Sequence, residues 1–193
     1  MVLMSSIKLS KDDQQTCIGI AKKSILHGLQ TGSALDVVAE DYTNDLQQRQ
    51  ACFVTLHKRG QLRGCIGALE AYQPLINDVA EHAFAAAFND PRFPVLQQNE
   101  FKDLDIEISA LGKPEVMLFK NEGDLLRQIR PGIDGLILEY GHYRGTFLPS
   151  VWEQLPQASD FLQHLKIKAG LGKSWWHDGA KISRYGTFSF SDA

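Results

Sequence analysis

The chain has 193 residues, 44% of them hydrophobic and 22% charged, enough to build a globular core without disulfides or a structural metal. Twenty basic residues against 23 acidic ones give a net charge of −3 and a pI near 6.1, which argues against a nucleic-acid binder or a protein steered to acidic membranes. The first ten residues lack the apolar stretch and cleavage signal of a secretory leader, and no apolar run reaches the roughly 18 residues of a spanning helix. The three cysteines, Cys17, Cys52 and Cys65, form no C-x-x-C pair and fit reduced thiols, so a cytoplasmic location is expected.

The first predicted element is a helix with Ser10 as N-cap and Asp12 and Asp13 in its first turn, where the helix dipole favours anions. Ile18, Ala21, Ile25 and Leu29 form its apolar stripe, and Gly32 is its stop. Residues 33–50 are polar and ambiguous. Cys52 to Gly67 reads as a β-hairpin around a three-residue loop, Lys58-Arg59-Gly60. That register pairs Thr55 with Arg63 and Phe53 with Cys65. It sends Cys52, Val54, Leu56, Leu62 and Ile66 to the core and Thr55, His57, Arg63 and Cys65 to the other face.

Pro74 opens a second helix whose broad apolar face predicts deep burial, and Asn89-Asp90-Pro91 stops it. Asp105 to Leu111 alternates as a strand, with Ile106, Ile108 and Ala110 inward and Asp105, Glu107 and Ser109 outward. Beyond Pro114 a short helix over 122–129 is expected. A second hairpin follows across Gly141-His142, then a helix capped by Ser159 and stopped at Gly170, and a closing strand from Lys181 to Phe190. The texture suggests a smaller lobe, 116–177, inserted into a larger one made of 1–115 and 178–193.

Phe53-Val54-Thr55-Leu56 followed by Leu62-Arg63-Gly64-Cys65-Ile66-Gly67 resembles the AMMECR domain family. Further matches follow in order at Asp90-Pro91-Arg92-Phe93, Ile106-Glu107-Ile108-Ser109, Gly135-Leu136-Ile137-Leu138, Phe147-Leu148-Pro149 and Lys168-Ala169-Gly170-Leu171. Together they span about residue 18 to 190. The chain is also similar to protein A of the AmmeMemoRadiSam system. The resemblance implies an α+β fold of two unequal lobes, each an antiparallel sheet flanked by helices. It further implies a cleft between them into which the six-residue segment points, and Memo-like and radical S-adenosylmethionine proteins as partners. It implies no particular reaction.

Cys65 is the sharpest chemical candidate: a thiolate helped by Arg63, with His57 as base and Glu107 orienting the imidazole, would be a nucleophile. The competing reading is a small half-buried strand residue. Arg63 offers a bidentate contact for a carboxylate or phosphate, or else an internal ion pair with Glu107 or Asp90. Thr55, Gly64, Ser109 and Arg92, with Arg144 and Lys168 from the smaller lobe, complete the candidate ligand-binding set. Asp90 and Arg92 also read as a structural pair. Gly64 and Gly67 also suit close backbone approach or a bulge, and make no G-x-G-x-x-G or P-loop pattern. The six histidines show no H-x-x-x-H or H-E-x-x-H spacing, so a metal held by His57, Cys65 and Glu107 is disfavoured and no metal or cofactor is expected. The sequence therefore predicts a cleft that binds a peptide, protein or metabolite, as an accessory in a redox or radical-based modification pathway. The rival is an enzyme using Cys65 as nucleophile.

Overall fold

Helix α1 (Lys11–Thr31) starts where its cap predicts: the Ser10 hydroxyl accepts the Asp13 N–H, and Gly32 closes the helix in the left-handed conformation at φ 76°. Both signals are local, which is why the sequence carries them. In this computed structural model residues 9–192 are described. Residues 1–8, most of the stretch searched for a leader, and residue 193 lie outside them. The polar segment after α1 contains a helical turn, Ala39–Asp41, and the short α2 (Asn44–Gln47). Next come β1 (Cys52–Lys58), β2 (Gln61–Gly67), α3 (Leu75–Phe88) and β3 (Leu104–Leu111). The later elements are β4 (Glu115–Val116), α4 (Glu122–Gln128), β5 (Gly135–Tyr140), β6 (Tyr143–Phe147), α5 (Ala158–Lys168), β7 (Lys181–Tyr185) and β8 (Thr187–Ser191). Among the described residues no helix is long and apolar enough to cross a membrane.

The fold is α+β with two four-stranded antiparallel sheets, ordered β2-β1-β3-β8 and β4-β7-β5-β6. The chain divides into two compact units. One runs to Gly112 and takes back Phe188 onward; the other is Lys113–Thr187. In the first unit Cys52, Val54, Leu56, Ile106 and Ile108 share a core with Ile18, Ala21 and Ile25 of α1 and Leu75, Ile76, Val79 and Ala83 of α3. Each fully buried Leu or Ile there contributes about 1.5–3 kcal/mol. In the second, Leu136, Leu138 and Ile182 share a core with Leu125 of α4 and Phe161 and Leu165 of α5. Trp152 stacks on Phe161 with ring centroids 3.8 Å apart and donates its indole N–H to the Asp134 carbonyl.

Three expectations need correction. The first hairpin turns on two residues, not three: Lys58 pairs with Gln61, and Arg59 and Gly60 both take positive φ, 53° and 76°. Such a turn matches the twist of the flanking strands. Arg63 is then an extra residue, because Leu56 pairs with Gly64 while His57 pairs with Leu62. This bulge returns Thr55 to Cys65 and Phe53 to Gly67. The pairing thus slips two places from the predicted one, so the side-chain parity of Cys65 survives. Leu62, expected in the core, is 43% exposed, and Arg63, expected on the open face, is 7% exposed. Second, Ser159 lies inside the first turn of α5, whose cap position is Gln157. Third, the run from Lys181 to Phe190 is two strands broken at Gly186; β7 joins the second sheet and β8 the first.

Candidate functional site

The face of the first sheet opposite α1 and α3 follows from strand alternation. Phe53, Thr55 and His57 of β1 lie opposite Ser109, Glu107 and Asp105 of β3, and Thr55 lies opposite Cys65 of β2. These side chains are all half-buried, and on β3 and the first part of β1 they alternate with buried positions. Cys65 accepts a hydrogen bond at sulfur from the Thr55 hydroxyl, 3.2 Å away. Glu107 accepts a long one from the Ser109 hydroxyl, at 3.5 Å, and Ser109 shares a 2.8 Å contact with the Ser189 hydroxyl of β8. Among the described residues neither His57 nor Glu107 is hydrogen-bonded to the sulfur.

The backbone of Cys65 is held from both sides by the loop after α3. Its N–H donates to Asp90 Oδ2 at 2.9 Å, and its carbonyl accepts from Arg92 Nη2 at 3.3 Å. Arg92 grips both oxygens of Asp90, Nε to Oδ1 at 3.0 Å and Nη2 to Oδ2 at 2.7 Å. Arg92 holds the buried Asp90 carboxyl well below the usual carboxylate range, with the Cys65 and Arg92 N–H groups adding to the effect against the opposing cost of burial. Pro91 stops α3 and bends the chain so that Asp90 and Arg92 reach back to β2.

Arg63 is placed by the bulge against Glu100. Its Nε and Nη2 meet the two carboxylate oxygens at 3.1 and 3.0 Å, and Nη2 also donates to the Pro94 carbonyl at 2.9 Å. The bidentate edge that the sequence offers to a ligand is thus engaged within the protein, by a carboxylate other than Glu107 or Asp90. Arg63 foremost, with Lys58 and the Gln97 N–H, pulls Glu100 down to about 2 against the effect of burial. A readable signal for Glu100 existed: Gln97-x-x-Glu100 forms a reciprocal capping box at the turn Gln98–Asp103.

Gly64 is fixed by packing. A Cβ there would lie 2.1 Å from the Ala86 carbonyl oxygen of α3, so β2 and α3 approach closer than any side chain permits. Arg144 and Lys168 lie in the second unit, both exposed. Arg144 Nε is 3.7 Å from Glu139, and Lys168 Nζ sits 5.0 Å from the Phe147 ring centre, where lost hydration lowers its pKa. Trp175 and Trp176 pack on Tyr140 and Phe119 within that unit. A surface cavity of about 370 Å³ beside Lys11, Gln14, Phe190 and Asp192 includes none of the candidate residues.

The AMMECR1 family model matches residues 18–190. A protein of Methanothermobacter thermautotrophicus is 39% identical over 180 residues, covering 91% of each chain. Protein MJ0810 of Methanocaldococcus jannaschii is 40% identical over 157 residues, 77% of this chain and 76% of its own. The crystal structure of the uncharacterized protein PH0010 from Pyrococcus horikoshii superposes with a TM-score of 0.85 at 30% identity, over 95% of this chain and 93% of that one.

Proposed function

The chain belongs to the AMMECR1 family, and from that premise we propose that it is a cytoplasmic binding protein whose Thr55–Cys65 sheet face receives a peptide, protein or metabolite partner. It acts as an accessory in a redox or radical-based modification pathway. The observation that carries this reading is the state of Cys65. Its sulfur receives a hydroxyl hydrogen from Thr55, and its N–H and carbonyl are clamped by Asp90 and Arg92. A nucleophilic thiol is activated by a neighbouring base or by a lowered pKa, and among the described residues no base is hydrogen-bonded to this sulfur, whose side-chain partner is the Thr55 hydroxyl. A polar strand residue held rigidly at both backbone atoms suits recognition, because little freedom is left to lose on binding.

One observation favours the other reading, in which Cys65 attacks a substrate with His57 or Glu107 in support: Cys65 is half-buried while Cys17 and Cys52 are buried. Calorimetric titration of the full chain with a Memo-like protein, and separately with a radical S-adenosylmethionine protein, separates the two. On the binding reading Thr55→Lys and Glu107→Lys each weaken association roughly tenfold, about 1.4 kcal/mol, while Cys65→Ser binds as the parent does. Full affinity in both lysine variants would remove this face from the interaction. Turnover of a substrate abolished by Cys65→Ser would replace binding with catalysis.

A further inference from the structure

A second cluster lies on the opposite, core-facing side of the same sheet. Cys52 opens β1, and Asp78 and His82 stand four residues apart on α3, so they share one helix face. Cys52 and Asp78 are fully buried and His82 is 7% exposed. One ligand atom from each, Sγ, a carboxylate oxygen and an imidazole nitrogen, lies within 4.8 Å of the others. The Asp-x-x-x-His spacing falls outside the histidine-pair motifs, and the cysteine comes from a different element, so sequence spacing alone does not reveal the group.

The imidazole is the second observation. His82 Nδ1 is 3.1 Å from Asp78 Oδ2, within ion-pair range, and the buried atom makes no hydrogen bond of good geometry. A buried ring nitrogen without a partner is costly. Asp78 is otherwise positioned: Oδ2 accepts the Cys52 N–H at 2.8 Å and Oδ1 accepts from Gln73 Nε2 at 3.1 Å. A carboxylate has about four acceptor sites, so each oxygen keeps one free.

We propose that Cys52, Asp78 and His82 form a buried structural site for one zinc-class divalent cation. The donors are a thiolate, a carboxylate and an imidazole, ligand types that borderline-soft zinc takes; they fill three of the four tetrahedral positions, and a water would fill the fourth. Metal–ligand distances of about 2.0–2.3 Å place neighbouring tetrahedral ligand atoms roughly 3.3–3.8 Å apart, inside the observed spread. Charge also balances: a dication with one thiolate, one carboxylate and a neutral imidazole is neutral, which burial requires. Binding displaces the thiol proton of Cys52 to solvent and forms the metal–sulfur bond. The cation would tie the first strand of the sheet to α3, and because the ligands are enclosed it enters as the chain folds.

Cobalt(II) alone tests this, added to the native full chain and to the chain refolded in its presence. The expected result is one Co²⁺ per chain with a thiolate-to-cobalt charge-transfer band, displaced by Zn²⁺. The band should persist in Cys17→Ala/Cys65→Ala, which leaves Cys52 as the sole thiol, and should vanish in His82→Ala. A natively folded chain that shows no thiolate-linked band under either protocol overturns the proposal. So does a band that disappears from the double variant, or one that survives Cys52→Ala. Should His82→Ala fail to fold, the double variant alone still decides.

Discussion

Cys52 and Cys65 stand on neighbouring strands and are anchored alike: each donates its backbone N–H to an aspartate at one end of α3. Cys52 gives its N–H to Asp78 in the first turn at 2.8 Å, and Cys65 gives its N–H to Asp90 just past the last turn at 2.9 Å. The sulfurs meet opposite environments. Burial, with Asp78 adding to it, pushes the Cys52 thiol up, whereas Cys65 is half-buried beside the Thr55 hydroxyl. One helix therefore fixes both edges of the β1–β2 hairpin, and strand alternation decides which sulfur faces the core. Anchoring and chemical availability are separate properties, set by different parts of the sequence.

Substitutions at the two anchors would break or sharpen this contrast. Asp78→Ala has the largest expected effect, a loss of about 3 kcal/mol in urea unfolding, because a buried N–H is left unpaired beside a buried imidazole. Asp90→Ala should cost less, about 2 kcal/mol, since the exposed Arg92 regains water and the Cys65 amide lies nearer the surface. Equal losses at both positions would mean that the two anchors do not differ in depth.

Acid offers a gentler probe of the Cys65 side. Glu100 is lowered from 4.5 to about 2 in the folded chain by Arg63 and Lys58. A carboxyl depressed on folding stabilises above its unfolded pKa, and that contribution is lost as pH falls from about 4.5 toward 2. Allowing for solvent screening, the loss should be about 1–2 kcal/mol, read as a falling urea midpoint. Asp90, depressed likewise, adds to the slope in the same direction. Glu100→Gln should flatten the profile in that window; an unchanged slope would assign it to other carboxylates.

The smallest effect belongs to Thr55→Val, which removes one hydrogen bond to sulfur and should cost under about 1 kcal/mol. Iodoacetamide should label one thiol in the native parent, at Cys65, and three after unfolding. Labelling of Cys52 at the same rate in the folded chain would erase the distinction between the two sulfurs.

The helix limits were legible because they rest on neighbours in the chain: Ser10 and Gly32 bound α1, and Pro91 stops the chain beyond α3. The hairpin was legible as an element and not as a register. Its turn uses Arg59 in the left-handed region, where glycine, asparagine or aspartate is the usual signal, and the bulge at Arg63 restores a side-chain parity that a two-residue turn alone would have inverted. Alternation on β3 placed Glu107 and Ser109 on the outer face without help from the turn.

By itself the sequence determined most of the helices, the existence of the two hairpins, the α+β class and the family resemblance, since period, capping and motif order are carried over a few residues at a time. Tertiary structure decided the partners: Glu100 for Arg63, Asp90 for the Cys65 amide, and Asp78 with His82 around Cys52. Those partners lie 37, 25 and at least 26 residues apart along the chain. Any of several carboxylates satisfies the same charge rule, and only the packing of α3 and its following loop against β1 and β2 selects which one arrives.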